Sequence, residues 1–282
     1  MSNKLSVFEF DITVKLNIIN FVMSTKKQVK IAVITGATSG IGLATAELLT
    51  EKGFKVYGIA RKPFKGSFKC FSADVCDYPA IDKILSEIIA RDGKIDLFVN
   101  NAGFGIAGAM EETSPENVQN IVDVNLTALC VLSGKAASTM KAQGGKIINV
   151  SSVGGIMPLP YQAMYSATKA GVEVFSRALA NEVRPYKIKI SCVLPGDTKT
   201  GFTAARVCEG ENRTARKSVA KMARDEQKGK SPKSVAKVIY KIAERKNPPL
   251  RVSVGGVSKL EVFLSRLLSV KLLNFIIRKI YC

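Results

Sequence analysis

From Ile31 onward the chain alternates between short continuous apolar runs and longer segments whose apolar positions recur every three or four residues. Runs of the first kind predict strands buried on both faces, and segments of the second kind predict helices that pack through one stripe. Residues 31–35 form such a run and end at a glycine. Residues 40–52 have helical spacing at Ile41, Leu43, Ala44, Leu48 and Leu49, and residues 54–60 read as a strand again, completing a βαβ unit. The alternation continues with a strand at 68–73, a helix at 77–91 and a strand at 95–99. A long helix follows, opened by Ser114 as cap with Pro115 at the first helical position, then a strand at 146–150, a helix at 163–183 and a strand at 189–193. Ser231-Pro232 repeats the cap signature and opens another helix. The expectation is an α/β fold with a parallel sheet covered by helices on both sides, in a single domain over residues 23–256.

Three segments depart from that rhythm. Residues 8–18 alternate strictly between apolar and polar, the period of a half-buried strand, and Glu9 and Asp11 exclude a secretory signal. Residues 1–22 read either as a leader ahead of a start at Met23 or as a genuine arm. Residues 201–230 are long, polar and irregular, the character of a lid over a binding site. Residues 257–282 form a basic helical tail. On a helical projection Glu261, Ser265 and Ser269 fall on one side and Lys271, Asn274 and Arg278 nearly opposite, which predicts two short helices with a bend near Ser269. Such helices lie on an anionic membrane surface, over the pocket, or against another subunit.

Charge sharpens this picture. The formal net charge of +19 is split unevenly, +6 over residues 1–205 and +13 over residues 206–282. A localised excess points to an anionic partner such as a phosphate-bearing ligand or a lipid surface, or else to a solvated face. Nucleic acid is not expected, because the basic segments lack interleaved aromatics. No run of about 18 apolar residues is free of charge, so no spanning helix is expected. Six scattered cysteines without a C-x-x-C pair, in a chain with no histidine, indicate reduced thiols, a cytoplasmic setting and no zinc site, and exclude a Ser-His-Asp hydrolase.

The turn between the first strand and first helix reads TGATSGIG, Thr35 to Gly42. Gly36 permits a tight turn, Gly40 lets backbone approach a pyrophosphate and Gly42 lets helix and strand pack closely, while the helix N-terminus offers unpaired N–H groups to an anion. Where a carboxylate would take the ribose hydroxyls of NAD, the second strand instead ends in Arg61-Lys62. A guanidinium grips a phosphate bidentately, so the residues favour NADP(H).

Together with this turn, NNAG at Asn100 to Gly103, Asn125, Ser152, YSATK at 165–169 and PGDTKT at 195–200 resemble the short-chain dehydrogenase/reductases over about residues 29–256. Within that family the chain resembles the NADP-dependent branch that includes 17β-hydroxysteroid-type and retinol-type dehydrogenases. The resemblance implies a Rossmann-type, doubly wound sheet of about seven strands, a nicotinamide cofactor and a homo-oligomer. It implies a cofactor site made of Gly36, Thr38, Ser39, Gly40, Ile41, Gly42, Arg61, Asn101, Ala102, Gly103, Tyr165, Lys169, Pro195, Gly196 and Thr198. In it Asp74 and Val75 would contact adenine and Thr200 the nicotinamide carboxamide. Asn125 would bend its helix and hold a water that relays protons from Lys169.

Tyr165 and Lys169 lie four apart, on one face of a helix. An ammonium beside a phenol is expected to bring the phenol below its usual value near 10, towards a range where it exchanges protons. Ser152, just past the strand at 146–150, is placed to donate to a substrate oxygen; Ser151 competes for that role, and the family spacing matches Ser152. Tyr161, one turn before Tyr165, is expected to line the substrate pocket. The function expected is reversible hydride transfer between a nicotinamide and the carbonyl or alcohol of a small lipophilic substrate. The alternatives are a 3-oxoacyl carrier-protein reductase and a non-catalytic NADP-binding regulator.

Overall fold

The computed structural model describes residues 28–282, so the alternating pattern at 8–18 and the leader-or-arm question lie outside the described residues. Seven parallel strands form the central sheet: β1 (Ile31–Thr35), β2 (Lys55–Ala60), β3 (Lys69–Ser72), β4 (Leu97–Asn100), β6 (Gly145–Val150), β7 (Ile188–Pro195) and β9 (Arg251–Val254). Their spatial order is β3-β2-β1-β4-β6-β7-β9. The order reverses between β1 and β4, and at such a switch point the connecting helices diverge to opposite faces and leave a crevice beyond the strand ends.

Each strand supplies both faces of the sheet in turn. Ile31, Val33, Tyr57 and Ile59 point to one side, where Ile81, Leu85 and Ile88 of α2 (Tyr78–Asp92) and Leu132 and Met140 of α4 (Ala128–Met140) cover them. Ala32, Ile34, Val56 and Val99 point to the other, against Ala46 and Leu49 of α1 (Gly40–Glu51) and Val235, Ile239 and Ile242 of α7 (Pro232–Glu244). The continuous apolar runs of the sequence thus split by the two-residue strand period into two cores.

Helix starts follow the cap signatures. Asp77 accepts from the Ala80 amide ahead of α2, Ser114 from the Asn117 amide ahead of α3 (Pro115–Val122), and Ser231 from the Lys233 amide ahead of α7. The segment expected as one long helix is interrupted: a π-helical turn, Asp123–Thr127, joins α3 to α4. By length and mean hydropathy, 1.3, Pro115–Met140 resembles a membrane span, contrary to expectation. Its apolar residues are spent on the sheet, and Asn125 and Ser133 within it are fully buried and hydrogen-bonded, as in a core helix of a folded domain.

The region 201–230 is more ordered than expected. After a turn, β8 (Val207–Cys208) pairs with β5 (Ile106–Ala107), and α6 (Arg213–Lys228) follows, capped by Asn212. Its buried positions, Ala215, Ser218 and Met222, are small or flexible, so the sequence carries almost no apolar stripe there. The tail forms two helices as expected, α8 (Gly256–Leu267) and α9 (Val270–Tyr281), with Ser269 between them capping α9 through the Leu272 amide.

α5 (Ala163–Glu182) is joined to the edge strand by a buried charge: Glu173, with a side chain 4% exposed, is paired to Arg251 of β9. A buried partner removed from such a pair leaves an uncompensated guanidinium. Glu173→Ala is therefore expected to lower the unfolding free energy by about 3 kcal/mol, read as a fall in the urea midpoint at unchanged slope.

Candidate active site

The first wall of the site is the turn between β1 and α1. Gly36 and Gly40 have φ of +65° and +52°, conformations that other residues adopt at a cost. Gly42 is constrained by contact: a Cβ there would lie 2.2 Å from the Gly36 carbonyl oxygen and 2.5 Å from the Asn101 side chain. Asn101 closes this corner, its Nδ2 donating to the carbonyls of Thr35 (3.0 Å) and Gly36 (3.3 Å). The Thr35 hydroxyl accepts from the amides of Asn101 and Ala102, both at 3.0 Å. These bonds lock the end of β4 to the glycine turn. The amides at the start of α1, which include those of Ile41 and Gly42, receive no side-chain cap from Ser39.

The other sequence candidates fall around the same crevice. Thr200 stands across from the turn, where a Cβ on Gly40 would meet its Cβ at 3.3 Å. Its hydroxyl accepts from the Phe202 amide (3.1 Å), and the Thr198 hydroxyl donates to the Gly196 carbonyl (2.8 Å), so both also shape the loop after Pro195. Asp74 accepts from the Cys76 amide (2.9 Å) and Val75 is buried beside it. Arg61 and Lys62 are exposed at the end of β2. Thr38 and Ser39 lie in the turn itself, and Ser39 precedes α1 with extended backbone. A glycine cradle with no room for Cβ atoms, helix amides at its mouth and cations at its rim fits a dinucleotide phosphate.

The second wall holds the remaining candidate residues. Ser152 follows β6 and accepts from the Gly154 amide (3.0 Å). A Cβ on Gly154 would touch both Ser152 Oγ (3.4 Å) and Tyr165 Cε1 (3.5 Å), so the hydroxyl and the phenol share one small space. Lys169 lies one turn below, buried, with Nζ 5.8 Å from the Tyr165 ring centre and donating to the Val150 carbonyl (3.1 Å). Asn125 sits in the π turn, exchanging hydrogen bonds with the Phe104 backbone: Oδ1 accepts from its amide (3.0 Å) and Nδ2 donates to its carbonyl (2.8 Å). A Cβ on Gly103 would approach Asn125 Oδ1 (2.9 Å) and Lys169 Nζ (3.5 Å), so both side chains border the space that this glycine leaves open. Ser151, the competitor of Ser152, is turned away and donates to the Lys169 carbonyl (2.7 Å).

The electrostatics differ from the expectation. Burial raises the Tyr165 phenol above its usual value, with the Ser152 hydroxyl working in the opposite direction. Burial also lowers Lys169, to about 8, against a smaller upward pull from Cys192. Desolvation penalises both charged forms and outweighs the attraction expected between them. The pair therefore presents a neutral phenol beside an ammonium that titrates near neutrality.

Two features were not legible beforehand. Phe202 lies beside the Tyr165 ring, centroids 5.7 Å apart and tilted by 59°, and the buried Arg206 guanidinium is 5.9 Å from the Phe202 ring centre. Arg206 is paired to Glu226 of α6, which also accepts from the Thr203 hydroxyl (2.5 Å), so the lid is clasped over the phenol. Tyr161 holds φ +61° and lines a small hollow with Ile106, Met110 and Gln162; another surface groove, between α2 and α4, lies away from these residues.

A family model described as short chain dehydrogenase matches residues 30–209, and the chain belongs to that family. It is 41% identical over 238 residues to a 3-ketodihydrosphingosine reductase of Bacteroides thetaiotaomicron, covering 81% of this chain and 88% of that one. A short-chain dehydrogenase from Streptomyces avermitilis superposes with a TM-score of 0.78 at 30% identity, over 86% of this chain and 94% of that one. A 3-ketoacyl-(acyl-carrier-protein) reductase from Brucella melitensis, solved with NADH, gives 0.69 at 26% identity, over 81% and 98%. The chain is an oxidoreductase of carbonyl and alcohol groups that uses a nicotinamide cofactor.

Between pH 8 and 10.5 the unfolded chain holds a proton on Lys169 that the folded chain releases, so the contribution of this lysine to stability rises with pH across that window. For carbonyl reduction the sign is opposite. Burial pushes the Tyr165 phenol up and Lys169 down, so Lys169 loses its charge first and kcat/KM for reduction is expected to fall above about pH 8. The pH profile of Lys169→Ala is expected to lack this limb. Gly42→Ala is expected to weaken dinucleotide binding at least about tenfold in calorimetric titration, through displacement of the Gly36 carbonyl.

Proposed function

We propose that this protein is an NADP(H)-dependent reductase of a long-chain, lipid-like ketone, with Tyr165 as the acid and base. The observation that carries the reading is the convergence of Ser152, Tyr165, Lys169 and Asn125 on one space beside the glycine turn. The cofactor, when bound, supplies the hydride for reduction and accepts it for oxidation. Ser152 donates a hydrogen bond to the carbonyl oxygen as negative charge grows there. The Tyr165 phenol gives that oxygen its proton, and Lys169, one turn away, steadies the phenolate left behind. Asn125, whose amide holds the Phe104 backbone beside Lys169, keeps open a path by which the proton is replaced from water. In oxidation the same groups act in reverse.

Arg61, exposed at the end of β2 where NAD-type sites carry a carboxylate, supports NADP(H). Asp74 and Val75 take the adenine in this reading, and Thr200 the carboxamide. The similarity to a 3-ketodihydrosphingosine reductase, over most of both chains, supports a lipid-like ketone. The similarity to a 3-ketoacyl-(acyl-carrier-protein) reductase and the basic lid favour a second reading, reduction of a carrier-bound 3-oxoacyl thioester. A non-catalytic regulator is not favoured, since Ser152, Tyr165 and Lys169 are all in place. The proposal further takes the enzyme to be a cytoplasmic homo-oligomer.

NADPH oxidation with 3-ketodihydrosphingosine and with a 3-oxoacyl thioester decides between the substrates, and Tyr165→Phe is expected to lower kcat by roughly 10²–10⁴ on the true one. A variant as fast as the parent would refute the assignment. Arg61→Ala is expected to weaken NADPH roughly tenfold to a hundredfold and leave NADH nearly unchanged, measured by fluorescence titration.

A further inference from the structure

Fifteen large hydrophobic side chains are exposed among the described residues, and ten of them lie between Val257 and Ile280. α8 turns Ser258 and Val262 inward, and Val257, Leu260, Leu264 and Leu267 outward, spaced by three and four residues along its solvent side. Phe263 stands beside them, 55% exposed. α9 seats Leu273 and Ile277 and leaves Leu272, Phe275, Ile276 and Ile280 outside. A helix pair that buries so narrow a stripe and exposes so broad an apolar arc has a second surface to cover.

The charges on these helices identify what covers it. Lys259, Arg266, Lys271, Arg278 and Lys279 are all exposed, and the one carboxylate, Glu261, is half-buried on the inward side. Arg278 and Lys279 flank the exposed Phe275 ring at 6.0 and 5.9 Å, an apolar wedge between two cations. A second copy would bring five like charges against five. An anionic interface would meet them with opposite charge while taking up the apolar side chains.

We propose that the outward faces of α8 and α9 dock the protein on an anionic phospholipid bilayer. The end of α9 also touches the lid helix α6, whereas α8 packs on β9 and on the turn after Ser152. Lys221 of α6 donates to the Ile280 carbonyl (2.8 Å) and sits over the Tyr281 ring at 5.0 Å. Five residues further along α6, Glu226 holds Arg206 and Thr203, and next to Thr203 is Phe202, the ring covering Tyr165. A bilayer that takes up α9 thereby acts on the element that covers the phenol, at the place where a lipid-like ketone leaves the membrane. This last step rests on the proposed substrate; the docking does not.

Vesicle flotation of the full chain tests it, with phosphatidylcholine alone and with phosphatidylglycerol added. The parent is expected to float with the anionic vesicles only and to be released by salt. Leu260→Glu/Phe263→Glu/Phe275→Glu and Lys271→Glu/Arg278→Glu/Lys279→Glu are each expected to lose at least about tenfold in vesicle affinity. Unchanged circular dichroism and unchanged turnover of a small water-soluble ketone would show that the fold and chemistry persist. Equal flotation with both vesicle types, none with either, or undiminished flotation of both variants would overturn the proposal. So would a parent oligomer that the first variant splits, because the face would then belong to a second copy. Anionic flotation without reduction of vesicle-borne 3-ketodihydrosphingosine would uphold the docking surface and reject the lipid substrate.

Discussion

The site depends on how closely two pieces of backbone approach where β1 passes into α1. Gly42 presses on the carbonyl of Gly36 with no space for one more carbon, and Asn101 ties the end of the neighbouring strand to the same carbonyl group. This contact sets the direction in which α1 leaves the sheet, and so where its unpaired amides point. It also fixes the crevice between β1 and β4, because β4 cannot shift along β1 while Asn101 holds two of its carbonyls. The remaining site residues are useful only in relation to that crevice.

Across it, the governing effect is desolvation. Packing Tyr165 and Lys169 beneath the lid strengthens every dipole around them and penalises every charge they carry. The balance leaves the phenol protonated and the lysine near its titration point, a poise suited to giving a proton to a forming alkoxide. The same burial explains the neighbours: the Val150 carbonyl receives the ammonium, and Gly103 leaves open the space that Asn125 and Lys169 border. The clasp of Arg206 on Glu226 extends this dry region outward, with Phe202 as its cover.

The sequence by itself determined the sheet, the order of its helices and most of the first wall. Buried parallel strands must be apolar at every position, cap residues announce helix starts, and the glycines of a close backbone approach admit no substitute. These are local requirements and leave local marks. The bend at Ser269 was legible for the same reason, since two polar stripes that miss each other on one helical wheel cannot share one straight helix.

Tertiary structure decided the rest. α6 buries alanine, serine and methionine, so its place over the site left no stripe to read, and the two-residue strands β5 and β8 are shorter than any periodicity. The family spacing already favoured Ser152 over Ser151; what only packing shows is that the buried Ser151 hydroxyl is held on the Lys169 carbonyl. The direction of the Tyr165 shift reversed because spacing along a helix reveals which charges are neighbours but not how much water surrounds them. Proximity is written in the order of residues, whereas burial is a property of everything folded around them.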